Sequence, residues 1–170
     1  MSDKPFRLQT ERFVLRPLQV EDVGERYLSW LTDPDAVHIQ GSRTTFELAE
    51  LARYVAEKSA QPDILFLGVF ESSSGRHIGN IKFEPIERQL GYAVLGMLIG
   101  DRDFRGRGVA GEIIAATAAW LRQEGLREIV LGVARDNPAA IRAYEKAGFE
   151  IGDTPHLPEH AHTHRMVLRL

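Results

Sequence analysis

The chain contains no cysteine. Its absence excludes disulfides, zinc–thiolate centres and cysteine nucleophiles. No hydrophobic run is long enough to cross a bilayer, and the opening Met1-Ser2-Asp3-Lys4 has no apolar core of the signal-peptide kind. A cytoplasmic location without membrane association is therefore the expectation. A basic excess is missing too: 21 Lys and Arg stand against 24 Asp and Glu, for a net charge of −3. That balance argues against a general affinity for nucleic acid, and the arginines at 102, 105 and 107 form a local feature. Repeats, linkers and low-complexity stretches are also lacking. What remains is 170 residues, 44% of them hydrophobic, enough for one domain over residues 1–170 with a substantial core.

Periodicity and turn chemistry divide the chain. Arg12 to Arg16 reads as a short strand stopped by Pro17. Asp22 is placed to cap a helix reaching about Leu31, with Val23, Tyr27, Trp30 and Leu31 on one face. Thr45 to about Ser59 carries a second helical stripe of Leu48, Leu51, Ala52 and Val55. Ile64 to Glu71, Arg76 to Glu84 and Tyr92 to Ile99 read as three strands of an antiparallel meander, the first two joined at Ser72-Ser73-Ser74-Gly75. The pattern then alternates: a helix over 108–123, a strand from Glu128 to Ala134, a helix from Pro138 to about Ala147 stopped by Gly148, and closing strands at Phe149–Asp153 and about Thr163–Leu170. The expected class is α+β.

One loop stands out, Arg105-Gly106-Arg107-Gly108-Val109-Ala110, between an expected strand and an expected helix. A helix start offers unpaired N–H groups and partial positive charge, and glycines let the main chain approach an anion. Gly106-x-Gly108-x-x-Gly111 spells a dinucleotide fingerprint, but the five residues Gly100 to Phe104 part it from the strand end, and the preceding strands read as antiparallel. A P-loop is excluded because no Gly-Lys-Ser/Thr follows. A plain surface turn with solvated arginines is the ordinary alternative.

Downstream segments shift that balance. Arg105-x-x-Gly108-x-Ala110, Asn137-x-x-Ala140-x-x-x-Tyr144 and Glu145-Lys146-Ala147-Gly148-Phe149, in this order and spacing, resemble the GNAT superfamily of N-acetyltransferases. Leu8-x-Thr10-x-Arg12-x-x-Leu15-Arg16 and Trp30-Leu31-x-Asp33-Pro34 resemble the branch of ribosomal-protein N-terminal and amino-sugar acetyltransferases. The resemblance implies a mixed, mostly antiparallel sheet of about six or seven strands with helices on both faces. It also implies acetyl-coenzyme A as cosubstrate, no metal, and a small amine or a peptide N-terminus as acceptor, an amino sugar being favoured. Dimers are common in the superfamily, so a homodimer belongs among the expected assemblies.

By the same resemblance, the main chain of Arg105, Gly106, Arg107, Gly108, Val109 and Ala110 holds the pyrophosphate, and Met97, Leu98 and Ile99 run beside the pantetheine arm. Asn137 contacts that arm while also serving as a helix N-cap, a role Asn before Pro fills in any protein. Tyr144, two turns further on the same face, protonates the leaving thiolate; its ordinary alternative is a half-buried core tyrosine. Many members carry a strand glutamate as general base. Here Ala93-Val94-Leu95-Gly96 puts Val94 in its place. Glu84 is the nearest substitute, His38 is a further candidate in a segment where relatives bind acceptors, and water is the third route for the proton. His160, His162 and His164 alternate as if on one strand face, which is a zinc-compatible spacing without a convergent carboxylate. Two other classes stay open: a non-catalytic acyl-coenzyme A module and a nicotinamide-binding protein.

Overall fold

In a computed structural model of the chain, residues 5–33 and 47–170 are described. Among them eight strands form one sheet in the order β1-β2-β3-β4-β5-β6-β8-β7. The strands are β1 Leu8–Gln9, β2 Phe13–Pro17, β3 Leu65–Glu71, β4 His77–Glu87, β5 Tyr92–Ile99, β6 Glu128–Ala134, β7 Glu150–Ile151 and β8 Thr163–Arg169. The helices are α1 Glu25–Leu31, α2 Leu48–Ser59, α3 Val109–Gln123 and α4 Pro138–Lys146. All neighbouring strands pair antiparallel except β5 and β6, which run parallel. The expected class stands, with eight strands in place of six or seven. The additional one, β1, is two residues long, too short to show a period in sequence.

Alternation in the strands feeds two cores, one on each face of the sheet. Leu67, Val69, Ile81, Phe83, Ala93 and Leu95 join Val109, Ile113, Ile114 and Leu121 of α3 on one side. Phe66 and Leu98 join Tyr27, Trp30 and Leu31 of α1 and Leu51 and Val55 of α2 on the other. Thr117 is buried in α3 and donates its hydroxyl to the Ile113 carbonyl at 2.8 Å, so its burial leaves no unpaired group.

Three local expectations change. Asp22 does not cap α1. It ends a short 3-10 turn and accepts both guanidinium nitrogens of Arg16 at 2.8 Å, while Gly24 precedes the helix. A charge-assisted bidentate pair is stronger than a single capping bond. β4 runs past Glu84 to Glu87: the register jumps between Phe83 and Ile86, an irregularity that accommodates Pro85, which has no N–H to donate. The three histidines do not share a strand face, because β8 begins only at Thr163. The expected helix start at Thr45 lies outside the described residues.

One contact fixes how α1 meets the sheet. A Cβ built on Gly100 would lie 2.0 Å from the Trp30 ring. Gly100→Ala must push the indole away, and overpacking of this kind costs about 1–3 kcal/mol. A thermal melt of G100A is expected to show a Tm several degrees below wild type, and an unchanged Tm contradicts this packing.

Candidate active site

β5 and β6 pair only at Tyr92–Glu128, Ala93–Ile129 and Val94–Val130. Both strands continue, β5 to Ile99 and β6 to Ala134, without further pairing to each other. On its other side β5 stays bonded to β4 as far as Gly79–Ile99. The sheet therefore opens into a wedge beyond Val94, one wall of which is the β5 segment containing Met97, Leu98 and Ile99. Crevices beyond the C-terminal ends of parallel strands are where open sheets take ligands.

The glycine loop leaves β5 at the open end. Gly106 and Gly108 have φ of 71° and 73°, a left-handed backbone that other residues resist. Gly108 stands immediately before α3 and supplies no side-chain cap, so the first-turn N–H groups of the helix have no side-chain acceptor. That combination suits an anion.

The arginines hold the loop in shape. Arg105 donates from Nε to the Ile99 carbonyl at 3.0 Å and from Nη2 to the Gly100 carbonyl and Asp33, both at 3.3 Å. Arg102 pairs with the same Asp33 at 3.0 Å. Arg12 reaches across from just before β2, donating to the Arg107 carbonyl at 3.0 Å and to Glu112 of α3 at 2.8 Å. Glu112 also accepts from the Thr10 hydroxyl at 2.6 Å and the Arg12 amide at 3.0 Å. Burial alone would raise the Glu112 carboxyl, but these donors hold it below its ordinary range.

The opposite wall begins where β6 ends. Asn137 accepts the Ala140 amide at 3.2 Å and Pro138 opens α4, so the cap role of Asn137 is present in full. Tyr144 follows on that helix, half-buried, its ring edge-on to Phe149 at 5.7 Å. Burial pushes the phenol up to about 12, so it keeps its proton at any physiological pH. The C-terminal end of β5, the glycine loop and the Asn137 turn thus lie at one end of the sheet, and Tyr144 follows two turns along α4.

Glu84 sits elsewhere, between two ammonium groups: Lys82 at 3.0 Å and Lys58 in a shorter contact. Burial would raise its carboxyl, yet the two lysines hold it below the usual range. A carboxylate so occupied is an ion-pair partner and a poor proton acceptor. His38 lies outside the described residues.

A second group of residues was not brought together by sequence. Tyr27 of α1, Tyr54 of α2, Phe66 of β3, Asn80 and Lys82 of β4 and Gly96, Met97 and Leu98 of β5 line a cavity of about 160 Å³. It lies on the α1–α2 face, against the strand that walls the wedge. The signal available was the polar series Asn80, Lys82, Glu84 alternating with Ile81 and Phe83 in an otherwise apolar sheet.

The family description "Acetyltransferase (GNAT) domain" matches residues 12–150. The chain belongs to this family. A mycothiol acetyltransferase of Corynebacterium glutamicum (strain R) is 33% identical over 115 residues, 68% of this chain and 37% of that protein. The chain thus spans little more than a third of that relative. An aminoglycoside N(6')-acetyltransferase type 1 of Salmonella typhimurium is 28% identical over 129 residues, 75% of this chain and 81% of the relative. Among solved structures, spermidine N-acetyltransferase from Vibrio cholerae, in complex with CoA and spermine, superposes with a TM-score of 0.78 at 18% identity over 93% of this chain and 95% of that one. At that identity the likeness is one of fold. Among the described residues no helix is long and apolar enough to cross a membrane, and none of their His, Asp and Glu side chains form a group of three suited to a metal ion.

The depressed carboxyls carry a sign. A carboxyl whose folded value lies below its unfolded one contributes stability that is complete above the unfolded value and lost as pH falls through the folded one. Glu84 and Glu112 are both of this kind, against an ordinary value of 4.5. Denaturant unfolding at stepped pH is expected to show stability falling below about pH 4.5, with a shallower fall in Glu112→Gln. Equal slopes in variant and wild type would refute the Arg12–Glu112 coupling.

Proposed function

We propose that the chain is an N-acetyltransferase that moves an acetyl group from acetyl-coenzyme A to a small primary amine by direct attack. The observation that carries this is the wedge between β5 and β6, with an uncapped helix start after one strand and, on the helix after the other, a protonated, half-buried phenol. Membership of the GNAT family and the coenzyme A bound by the spermidine enzyme support the choice of donor.

In this reading the pyrophosphate lies on the main-chain N–H groups of Arg105 to Ala110, stabilised by the dipole of α3. The arginine side chains act by holding the loop, since Arg105 bonds to the carbonyls of Ile99 and Gly100 before it and Arg12 to that of Arg107 within it. The pantetheine arm passes along Met97 to Ile99 and beside Asn137. A main-chain amide of that β5 segment polarises the thioester carbonyl.

The amine lone pair attacks the carbonyl carbon and the C–N bond forms. The C–S bond then breaks, and the sulfur takes the proton of the Tyr144 hydroxyl. The attacking nitrogen gives up one proton to water, and that proton restores the phenol. We assign the proton to water because Val94 cannot accept one and Glu84 is held by Lys58 and Lys82. Direct attack needs no enzyme nucleophile, consistent with a chain that has no cysteine. The acceptor we favour is a small amine, amino sugars among them, in line with the aminoglycoside and spermidine named for a relative and a structural neighbour.

Thermal-shift measurements are expected to show stabilisation by acetyl-coenzyme A and none by NAD; stabilisation by NAD alone would overturn the reading. In a thiol-release assay over an amine panel, Tyr144→Phe is expected to lower kcat by about 10²-fold with little change in KM for acetyl-coenzyme A. Wild-type kcat in that variant removes Tyr144 from the reaction.

A further inference from the structure

Residues 100–105 carry the chain from the end of β5 into the glycine loop, and three side chains from one helix meet them. Arg26 and Trp30 stand four residues apart on α1, and Asp33 follows three later. That spacing puts all three on one side of the helix and the turn that ends it. Arg26 Nη1 lies 3.5 Å from Asp101 Oδ2. The Trp30 ring occupies the space that a Cβ on Gly100 would need. Asp33 accepts from Arg102 at 3.0 Å and from Arg105 at 3.3 Å. Asp101 is itself buried: it accepts the Asp103 amide at 3.0 Å at the start of a 3-10 turn and pairs with Arg76 at 2.6 Å. The approach to the loop is thus docked on α1 at its beginning, middle and end.

Arg105 passes this hold on to the loop. Its Nε donates to the Ile99 carbonyl at 3.0 Å, and its Nη2 is shared between the Gly100 carbonyl and Asp33. Without the carboxylate, Nη2 keeps a single 3.3 Å bond, and the guanidinium is free to swing toward any anion nearby. Gly106 and Gly108 follow directly, and glycine is the residue with the most backbone freedom to lose. A loop built on them needs an outside hold to keep its N–H groups aimed. The charge of Asp33 and its grip pull in opposite directions. By charge alone, a carboxylate near a pyrophosphate site repels the ligand, and its removal tightens binding. But this carboxylate is only 9% exposed and faces two guanidinium groups, so its field is largely cancelled and the grip decides.

We propose that Asp33 is a positioning residue of the donor site: acting through Arg105, it presets the glycine loop for the pyrophosphate and makes α1 a working part of that site. The inference rests on the acetyltransferase reading, and it deepens that reading by adding an element from the other face of the sheet. Coenzyme A on the loop is then registered along α1. The same helix carries Tyr27, which lines the cavity on the α1–α2 face.

The test is isothermal titration of coenzyme A into the wild-type protein and its variants. Asp33→Asn keeps the size and removes the charge; it is expected to bind coenzyme A about tenfold more weakly, with Asp33→Glu closer to wild type. In an Arg105→Gln background the same Asp33→Asn change is expected to add nothing, because the path through Arg105 is already cut. Unchanged or tighter binding in Asp33→Asn, or losses that simply add in the double variant, overturns the proposal. A merely structural role lowers Tm and leaves the affinity of the folded protein alone. Hydrogen exchange gives a reading that needs no variant: coenzyme A is expected to slow exchange at the α1 amides of the wild type. Exchange there that ignores bound coenzyme A overturns the link even if Asp33→Asn fails to fold. A wild-type protein that does not bind coenzyme A refutes the acetyltransferase reading and the proposal with it, whereas binding that is indifferent to Asp33 refutes the proposal alone.

Discussion

The sheet stops pairing β5 with β6 after Val94 and Val130, and the donor site we propose is arranged around that stop. A continuous parallel ladder would satisfy the main chain of β5 and leave no crevice. Divergence instead leaves one edge of Met97 to Ile99 turned toward open space while β4 holds the other edge in register. The cost of unpaired main chain is offset by what it permits: an extended ligand can lie between two strands as a temporary extra one. Both connections that leave the open ends, the glycine loop from β5 and the Asn137 turn from β6, lead directly into helices. Two helix starts therefore flank the same mouth.

Charged side chains serve mainly as scaffolding here. Isolated surface ion pairs contribute little, but these are not isolated. Asp33 joins Arg102 and Arg105, Arg105 continues to two carbonyls at the end of β5, and Arg12 ties the Arg107 carbonyl to Glu112. With the guanidinium groups committed to carbonyls and carboxylates, the main-chain N–H groups at the start of α3 are left for an anion. The division explains how a loop with left-handed glycines at 106 and 108 can be both unusual in backbone and firmly placed.

Much of this was legible in the sequence because it depends on local signals. Glycines before an amphipathic run marked α3, Asn137-Pro138 marked α4, and the apolar alternation marked the meander. The motif spacing grouped these into the donor site we propose before any contact was visible. Other features were illegible for physical reasons. Asp22 had the appearance of a cap because capping is a local preference, and only the fold brings Arg16 close enough to outbid it. Glu84 looked available as a base because its two lysine partners lie on different elements, α2 and β4. The cavity at Tyr27, Tyr54 and Lys82 draws on α1, α2, β3, β4 and β5, elements far apart in sequence that only the fold brings together. In Trp30-Leu31-x-Asp33 the helix face was legible but two mechanical roles were not: the indole covers Gly100 and the carboxylate grips Arg105.

The Arg12–Glu112 clasp joins residues 100 positions apart, and the wedge needs β6 and α4 as well as β5. The cavity at Tyr27, Tyr54, Asn80, Lys82 and Leu98 needs nothing beyond β5. A ribosome building this chain from its N-terminus therefore delivers every residue of the cavity before it delivers the second wall of the wedge. Until then β5 is an exposed edge, open to pairing with other chains. Synthesis of the last third of the protein thus both completes the cleft and removes its main hazard of aggregation.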